Sequence, residues 1–177
     1  MRSTKDYQRL GKVFKYNVTQ SGVSFRFEQG TAEIQLIEAD IFRFRMTQHA
    51  SFGSERHWVV EARGLDAVPF VSSLDERQLS LKTEAMGLMV DLEDFTIKVF
   101  DPNGSEVARQ QSVGWRGHTV RSWWAMPVNA HFYGCGEKVG FIDRRGRQVE
   151  MWTTDSIPHL PDTDPMYQSI PFFSRLE

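Results

Sequence analysis

Wherever apolar residues recur regularly in this chain, they recur at every second position. Val23-Ser24-Phe25-Arg26-Phe27-Glu28 alternates strictly and places Val23, Phe25 and Phe27 on one face. Phe42-Arg43-Phe44-Arg45-Met46-Thr47 repeats the pattern, so Arg43 and Arg45 are expected to share an outer, solvated face. Period two belongs to an extended strand; a helix would need 3.6. Residues 32–38 carry Ile34 and Leu36 on one side, and shorter strand-like runs follow at 13–18, 58–60, 79–83, 88–92, 95–100, 105–111 and 120–126. Ser21-Gly22, Gln29-Gly30, Met86-Gly87 and Asp101-Pro102-Asn103-Gly104 separate them. The last of these predicts a hairpin, with Pro in the second position of a type I turn and Asn-Gly tolerating positive φ. No segment sustains a helical period. Many short strands punctuated by turns predict an all-β sandwich or barrel, not an alternating α/β fold.

A chain of 177 residues fits one domain with a substantial core. Its 21 basic and 23 acidic side chains nearly cancel, which removes the field that would gather nucleic acid or an anionic membrane. The interleaved Arg and Phe of residues 42–47 lack the glycines of an RNA-recognition signature. No apolar run approaches the ~18 residues of a membrane span, and residues 1–6 lack the apolar core of a signal peptide. With a single cysteine, Cys135, the expectation is a soluble, cytoplasmic protein without internal disulfides.

The densest chemistry lies at 132–173, where two strand-like pieces flank a long loop rich in Asp, Pro and aromatic residues. Loops of that length in a compact domain usually carry a function, and this composition is not that of a disordered tract. Gly134-Cys135-Gly136 is not a dinucleotide fingerprint: its third glycine is misplaced at Gly140 and no apolar helix follows. It reads as a close backbone approach or bulge, with Cys135 as a small packed residue. Glu137 and Lys138 read as a surface pair, Arg144-Arg145-Gly146-Arg147 as a solvated hairpin tip, and Asp164-Pro165 as a turn former. Asp155, Asp162 and Asp164 lack the glycine and distal Glu of a calcium loop, and His49, His57, His118, His131 and His159 form no metal-binding pair. No metal or cofactor is expected.

Three segments in this stretch resemble, in order, the motifs of the N-terminal domain of glycoside hydrolase family 31, which includes α-glucosidases and α-xylosidases. They are Phe132-Tyr133-Gly134-Cys135-Gly136-Glu137-Lys138, then Met151-Trp152-Thr153-Thr154-Asp155, then Asp164-Pro165-Met166-Tyr167-Gln168-Ser169-Ile170-Pro171-Phe172-Phe173. Upstream of Arg121 the likeness is one of strand pattern only. The resemblance implies an antiparallel β-sandwich similar to galactose mutarotase, over residues 1–173, with a substrate-facing loop at about 151–169. It also implies that the Asp of a W-x-T-D segment contacts the sugar near the cleaved bond. Asp155 occupies that position, with Thr153 where Asn is commoner, and Trp152 is a candidate wall of the pocket. A carboxylate accepting two hydroxyl hydrogen bonds suits a sugar. A purely local role, Asp155 capping its own turn through Ser156 or Ile157, is the alternative.

Retaining hydrolysis needs two carboxyl groups ~5–5.5 Å apart. The family takes both from a catalytic barrel, the nucleophile within a segment like W-x-D-M-N-E, and no Asp-Met dipeptide occurs here. The resemblance therefore implies a non-catalytic domain of a retaining α-glycosidase, an α-glucosidase by first choice, partnered by its own barrel and an α-linked oligosaccharide or glycoside. The ending Ser174-Arg175-Leu176-Glu177 looks like a cloning scar, so residues 174–177 are expected to close a fragment lacking the barrel. Strand 170–173 would then lose its neighbours and self-associate. Two rival readings stay open: a free-standing carbohydrate-binding module using Asp155 and Trp152, and a mutarotase-like epimerase using His131 or His159 with a Glu.

Overall fold

The computed structural model describes residues 6–53 and 67–176. The strand expected at 58–60 lies outside those residues. The chain forms two compact units, Met1–Ala125 and Met126–Glu177.

Among the described residues the first unit's regular structure is strand, and its ladders are antiparallel. In chain order the strands are β1 (Gln8–Arg9), β2 (Lys15–Thr19), β3 (Gly22–Phe27), β4 (Gly30–Glu38), β5 (Ile41–Thr47), β6 (Val71–Asp75), β7 (Gln78–Lys82), β8 (Gly87–Asp91), β9 (Ile97–Phe100), β10 (Glu106–Arg116) and β11 (Thr119–Trp124). Strands β2 to β5 make a four-stranded meander, while the larger sheet runs β1-β10-β9-β8-β7-β6 with β11 also paired to β10. Val23, Phe25 and Phe27 are buried as their alternation predicts, and Ile34 and Leu36 join them from β4. Leu79, Leu81, Leu88, Val90 and Ile97 of the larger sheet belong to the same core cluster. A two-sheet sandwich is what buries both stripes at once.

Phe95, in the connection between β8 and β9, ties the two sheets together. Its ring meets Phe25 edge-on at 5.2 Å and Phe27 at 4.8 Å, both from the smaller sheet. Such a ring contributes roughly 1.5–3 kcal/mol by burial, with edge-to-face contacts adding to that. The Asp101–Gly104 hairpin forms as expected. The Asp101 carbonyl accepts the Gly104 amide at 3.0 Å, and its carboxylate accepts Asn103 N at 2.9 Å and Ser105 N at 2.8 Å.

The structure departs from the strand pattern in three places. Arg43 and Arg45 are not simply solvated. They lie opposite Gln35 and Glu33 in the β4–β5 register; Arg45 is 2.7 Å from Glu33, with its guanidinium 4.3 Å from the Phe52 ring centroid. Strand β6 carries no burial alternation because all five residues are exposed, and among the described residues it ends the sheet, paired to β7. Strand β10 runs on to Arg116, where β1 and β11 both pair with it. The adjacent tryptophans divide as strand geometry requires: Trp123 is half-buried, edge-on to Tyr7 at 5.3 Å, and Trp124 is exposed.

The second unit is built on one antiparallel pair, β12 (His131–Gly136) and β13 (Ser169–Leu176), with the long loop between them. Strand β13 therefore finds a neighbour within this chain, contrary to the expectation that its partners lie elsewhere. Gly134, Cys135 and Gly136 all have positive φ, and the register shifts between Gly134 and Gly136, which is the bulge the sequence suggested. A Cβ at Gly134 would stand 2.7 Å from the Phe172 carbonyl oxygen, so the close approach excludes any other residue without a shift of backbone. Cys135 is buried between them.

Candidate functional site

The loop that leaves β12 is closed at its base by a lysine. Lys138 Nζ is 2.6 Å from Asp164 Oδ1 and donates to the Glu150 carbonyl at 2.8 Å. The other Asp164 oxygen accepts the Glu150 amide at 2.6 Å. Glu150 and Asp164 bracket the 151–163 segment, so one cation and one carboxylate fix both of its ends. Burial alone would raise the Asp164 carboxyl; the hydrogen bonds from Lys138 and the Glu150 amide, with the charges of Lys138 and Arg147, bring it below its ordinary value. Lys138 is thus an inward residue paired with Asp164, not half of a surface pair with Glu137. Asp164 does more than turn the chain before Pro165.

The arginine turn is likewise structural. Arg144 donates to the carbonyls of Phe141 at 2.6 Å and Val139 at 3.2 Å, Arg147 to Val139 at 2.7 Å, and Arg145 to Pro127 at 2.9 Å. Guanidinium forks satisfy backbone carbonyls that an irregular loop leaves without ladder partners. The solvated-tip reading is overturned by these half-buried contacts.

Inside the bracket, Thr153 and Met166 form a parallel bridge, and the Thr154 amide donates to the Met166 carbonyl at 2.9 Å. Met166 is buried and anchors the pair of segments. That register carries Thr154 alongside Tyr167, one residue before Asp155. The Tyr167 hydroxyl lies 3.4 Å from the carbonyl of Ser156, the neighbour of Asp155. Burial first, then the nearby Asp155 carboxylate and the charge of Glu137, raise the Tyr167 phenol above its ordinary value. The His159 ring meets the Tyr167 ring edge-on at 5.4 Å. Asp155 is exposed, and Trp152, just upstream, is 67% exposed.

A second carboxylate is braced at the start of β12. Asp143 Oδ2 is 2.6 Å from His131 Nδ1, and Oδ1 accepts the amides of Phe132 at 3.0 Å and Arg145 at 2.9 Å. The His131 hydrogen bond and these two amides lower the Asp143 carboxyl from 3.8 to about 2.

The two site residues expected from sequence, Asp155 and Trp152, therefore stand on one exposed, closed loop. Sequence reasoning gave no role to Tyr167, although it stood within a quoted motif, and it missed the Lys138–Asp164 closure. Neither is legible without the register that brings 153 to 166. Neither His131 nor His159 is paired with a glutamate: His131 pairs with Asp143 and His159 with Tyr167. Among the described residues, no group of three or more His, Cys, Asp or Glu side chains is arranged to hold a metal ion. The loop offers an acceptor carboxylate, a phenol and an exposed indole, a set suited to hydroxyl groups and the apolar face of a sugar ring.

A family model for the glycosyl hydrolase 31 N-terminal galactose mutarotase-like domain matches residues 31–177. Alpha-glucosidase 2 of Bacillus thermoamyloliquefaciens is 30% identical over 171 residues, 93% of this chain and 21% of that protein. A Flavobacterium johnsoniae GH31 dextranase complexed with isomaltotriose is similar in structure with a TM-score of 0.86 at 22% identity, covering 95% of this chain and 21% of the dextranase. The cycloalternan-forming enzyme from Listeria monocytogenes, in complex with pentasaccharide substrate, gives a TM-score of 0.81 at 15% identity, over 96% of this chain and 17% of that enzyme. These structural likenesses establish the fold. The chain spans about a fifth of the length of these relatives.

Proposed function

Because the chain belongs to the family of glycosyl hydrolase 31 N-terminal galactose mutarotase-like domains, we propose that it is the non-catalytic N-terminal part of a retaining α-glycosidase, by first choice an α-glucosidase. Its loop at 151–169 contributes Asp155 and Trp152 to a sugar pocket completed by a catalytic barrel elsewhere in the whole protein. The observation that carries this reading is the exposed Asp155 carboxylate, held on a loop whose two ends are fixed by the Lys138–Asp164 pair. An exposed acceptor on a closed loop is already ordered for a ligand's hydroxyls, so less freedom is lost on binding. The relatives support the substrate class by their names: an α-glucosidase, a dextranase complexed with isomaltotriose and an enzyme with a pentasaccharide substrate.

The division of labour follows from chemistry. The barrel supplies the nucleophile and the acid/base carboxyl pair. This domain supplies a hydrogen-bond acceptor that helps to orient the sugar. Asp155→Ala in the whole enzyme is expected to lower kcat/KM on p-nitrophenyl α-glucoside by about ten- to a hundredfold, the equivalent of one charge-assisted hydrogen bond of roughly 1.5–3 kcal/mol. Thermal stability should stay near wild type, because the residue is exposed. Wild-type kinetics in that variant would remove Asp155 from the pocket.

A further inference from the structure

We propose that the first unit carries a sugar-binding site of its own, a polar pocket at one end of the sandwich that takes a neutral saccharide. It shares no residue with the loop at 151–169, so it does not rest on the role assigned to Asp155. The pocket has a volume of about 430 Å³, and its lining includes Gln8, Arg26, Glu28, Gln29, Gln48 and Trp115. That volume falls within the roughly 300–1,000 Å³ of small-molecule sites. Gln8 comes from β1 of the larger sheet and Gln29 from the β3–β4 turn of the smaller, and the Gln8 amide donates to the Gln29 carboxamide oxygen. Gln48, just past β5, donates to the Gly117 carbonyl in the β10–β11 turn at 3.0 Å. Two carboxamides thus cross from one sheet to the other, and Trp115 of β10, part of the buried core, supplies an indole to the same wall.

The chemistry of this lining selects the ligand. A carboxamide donates and accepts at once, as a sugar hydroxyl does. Among the described residues, the two inter-sheet bonds engage one polar atom of each of the three carboxamides and leave the other open. Arg26 and Glu28 add opposite charges that offset each other, which suits a neutral ring better than an anion or a cation. An exposed glutamine loses side-chain freedom when it binds a ligand, and here the inter-sheet bonds have removed much of that freedom beforehand. The Trp115 indole adds an apolar surface for the C–H groups of the ring.

The test is a titration of the 15N-labelled 177-residue chain with maltotriose and, separately, with isomaltotriose. At millimolar sugar, the side-chain amides of Gln8, Gln29 and Gln48 and the Trp115 indole N–H should shift together and saturate along one curve for at least one of the two. Gln29→Ala and Gln48→Ala should each raise Kd by about three- to tenfold, the loss of one hydrogen bond. The backbone amide signals of β3 and β4 should keep their positions in both variants, which shows an intact fold. Pocket signals that stay still with both sugars overturn the site, and so do variants that bind as tightly as wild type. An equal response to glycerol, which has hydroxyls but no ring, also overturns it. Shifts confined to the Trp152 indole would put the sugar on the 151–169 loop, in favour of the Asp155 reading and against this one. Saturation at the pocket with a still Trp152 indole would uphold this site whatever Asp155→Ala does to the kinetics.

Discussion

Lys138 and Asp164 meet at 2.6 Å with side chains only 3% and 16% exposed. Removing one partner of a buried pair leaves the other charge without compensation. A fully enclosed pair would lose about 3–5 kcal/mol, and the residual exposure of Asp164 brings the expectation to about 2 kcal/mol for Lys138→Met. The effect should be local to the second unit. Hydrogen exchange at the Thr154 amide, whose partner is the Met166 carbonyl, should quicken, while amides in the β3–β4 ladder keep their protection. Adding Asp164→Asn to Lys138→Met should recover part of the loss, because the stranded charge is then gone. Equal exchange at Thr154 in wild type and Lys138→Met would show that the loop holds its form without the pair.

Asp143 gives the second unit an acid-sensitive contact. Its folded-state value lies at about 2, below the ordinary 3.8. A depressed carboxyl contributes stability that is present above its unfolded value and lost as pH falls through its folded value. The window is therefore roughly pH 4 down to pH 2. Asp143→Asn should melt below wild type at pH 6, and the gap should close as pH falls to about 2, when the wild-type carboxyl also takes up its proton. Asp164 is depressed as well, so Asp143→Asn is expected to retain some acid dependence of its own. A gap in melting temperature that stays constant from pH 6 to pH 2 would place the value of Asp143 in its geometry and not in its charge.

The sandwich was legible because its signal is local. Val23, Phe25 and Phe27 face the core wherever the strand goes, so alternation alone assigns them. The Asp101–Gly104 turn is equally self-contained, its carboxylate bonding within its own four residues and the next. What sequence did not reveal depends on register between distant segments. Lys138 is paired with a residue 26 positions away, and beside Glu137 it looks like any surface lysine. Tyr167 reaches the Ser156 carbonyl only because 153 pairs with 166. Strand β6 was invisible for the opposite reason: with all five residues exposed, it has no inner face to mark with apolar residues. The likeness of three motifs to a known family drew attention to this loop, but its physical closure comes from pairings that no periodicity encodes.

The last prediction concerns β13. Its alternation places Ile170, Phe172 and Leu176 on one side, and Phe172 and Leu176 remain 65% and 60% exposed. Phe173, on the other side, is covered in part by Phe132, whose ring centroid is 5.8 Å away. Among the described residues the β12–β13 sheet has two strands and no third. A two-stranded ribbon with an apolar stripe is marginal alone, and it templates pairing with another chain. The expected outcome is reversible association of the 177-residue chain through β13, with a second copy supplying the missing neighbour. An antiparallel pairing of identical strands would make the contact two-fold symmetric. Multi-angle light scattering over a concentration series should show mass rising from one chain toward two. Phe172→Glu should stay monomeric, because it places a charge in the stripe and two such charges would face each other across the axis. An unchanged monomer mass for the wild-type chain at the highest concentration, with the amides of β13 protected from exchange, would show that the ribbon closes on its own.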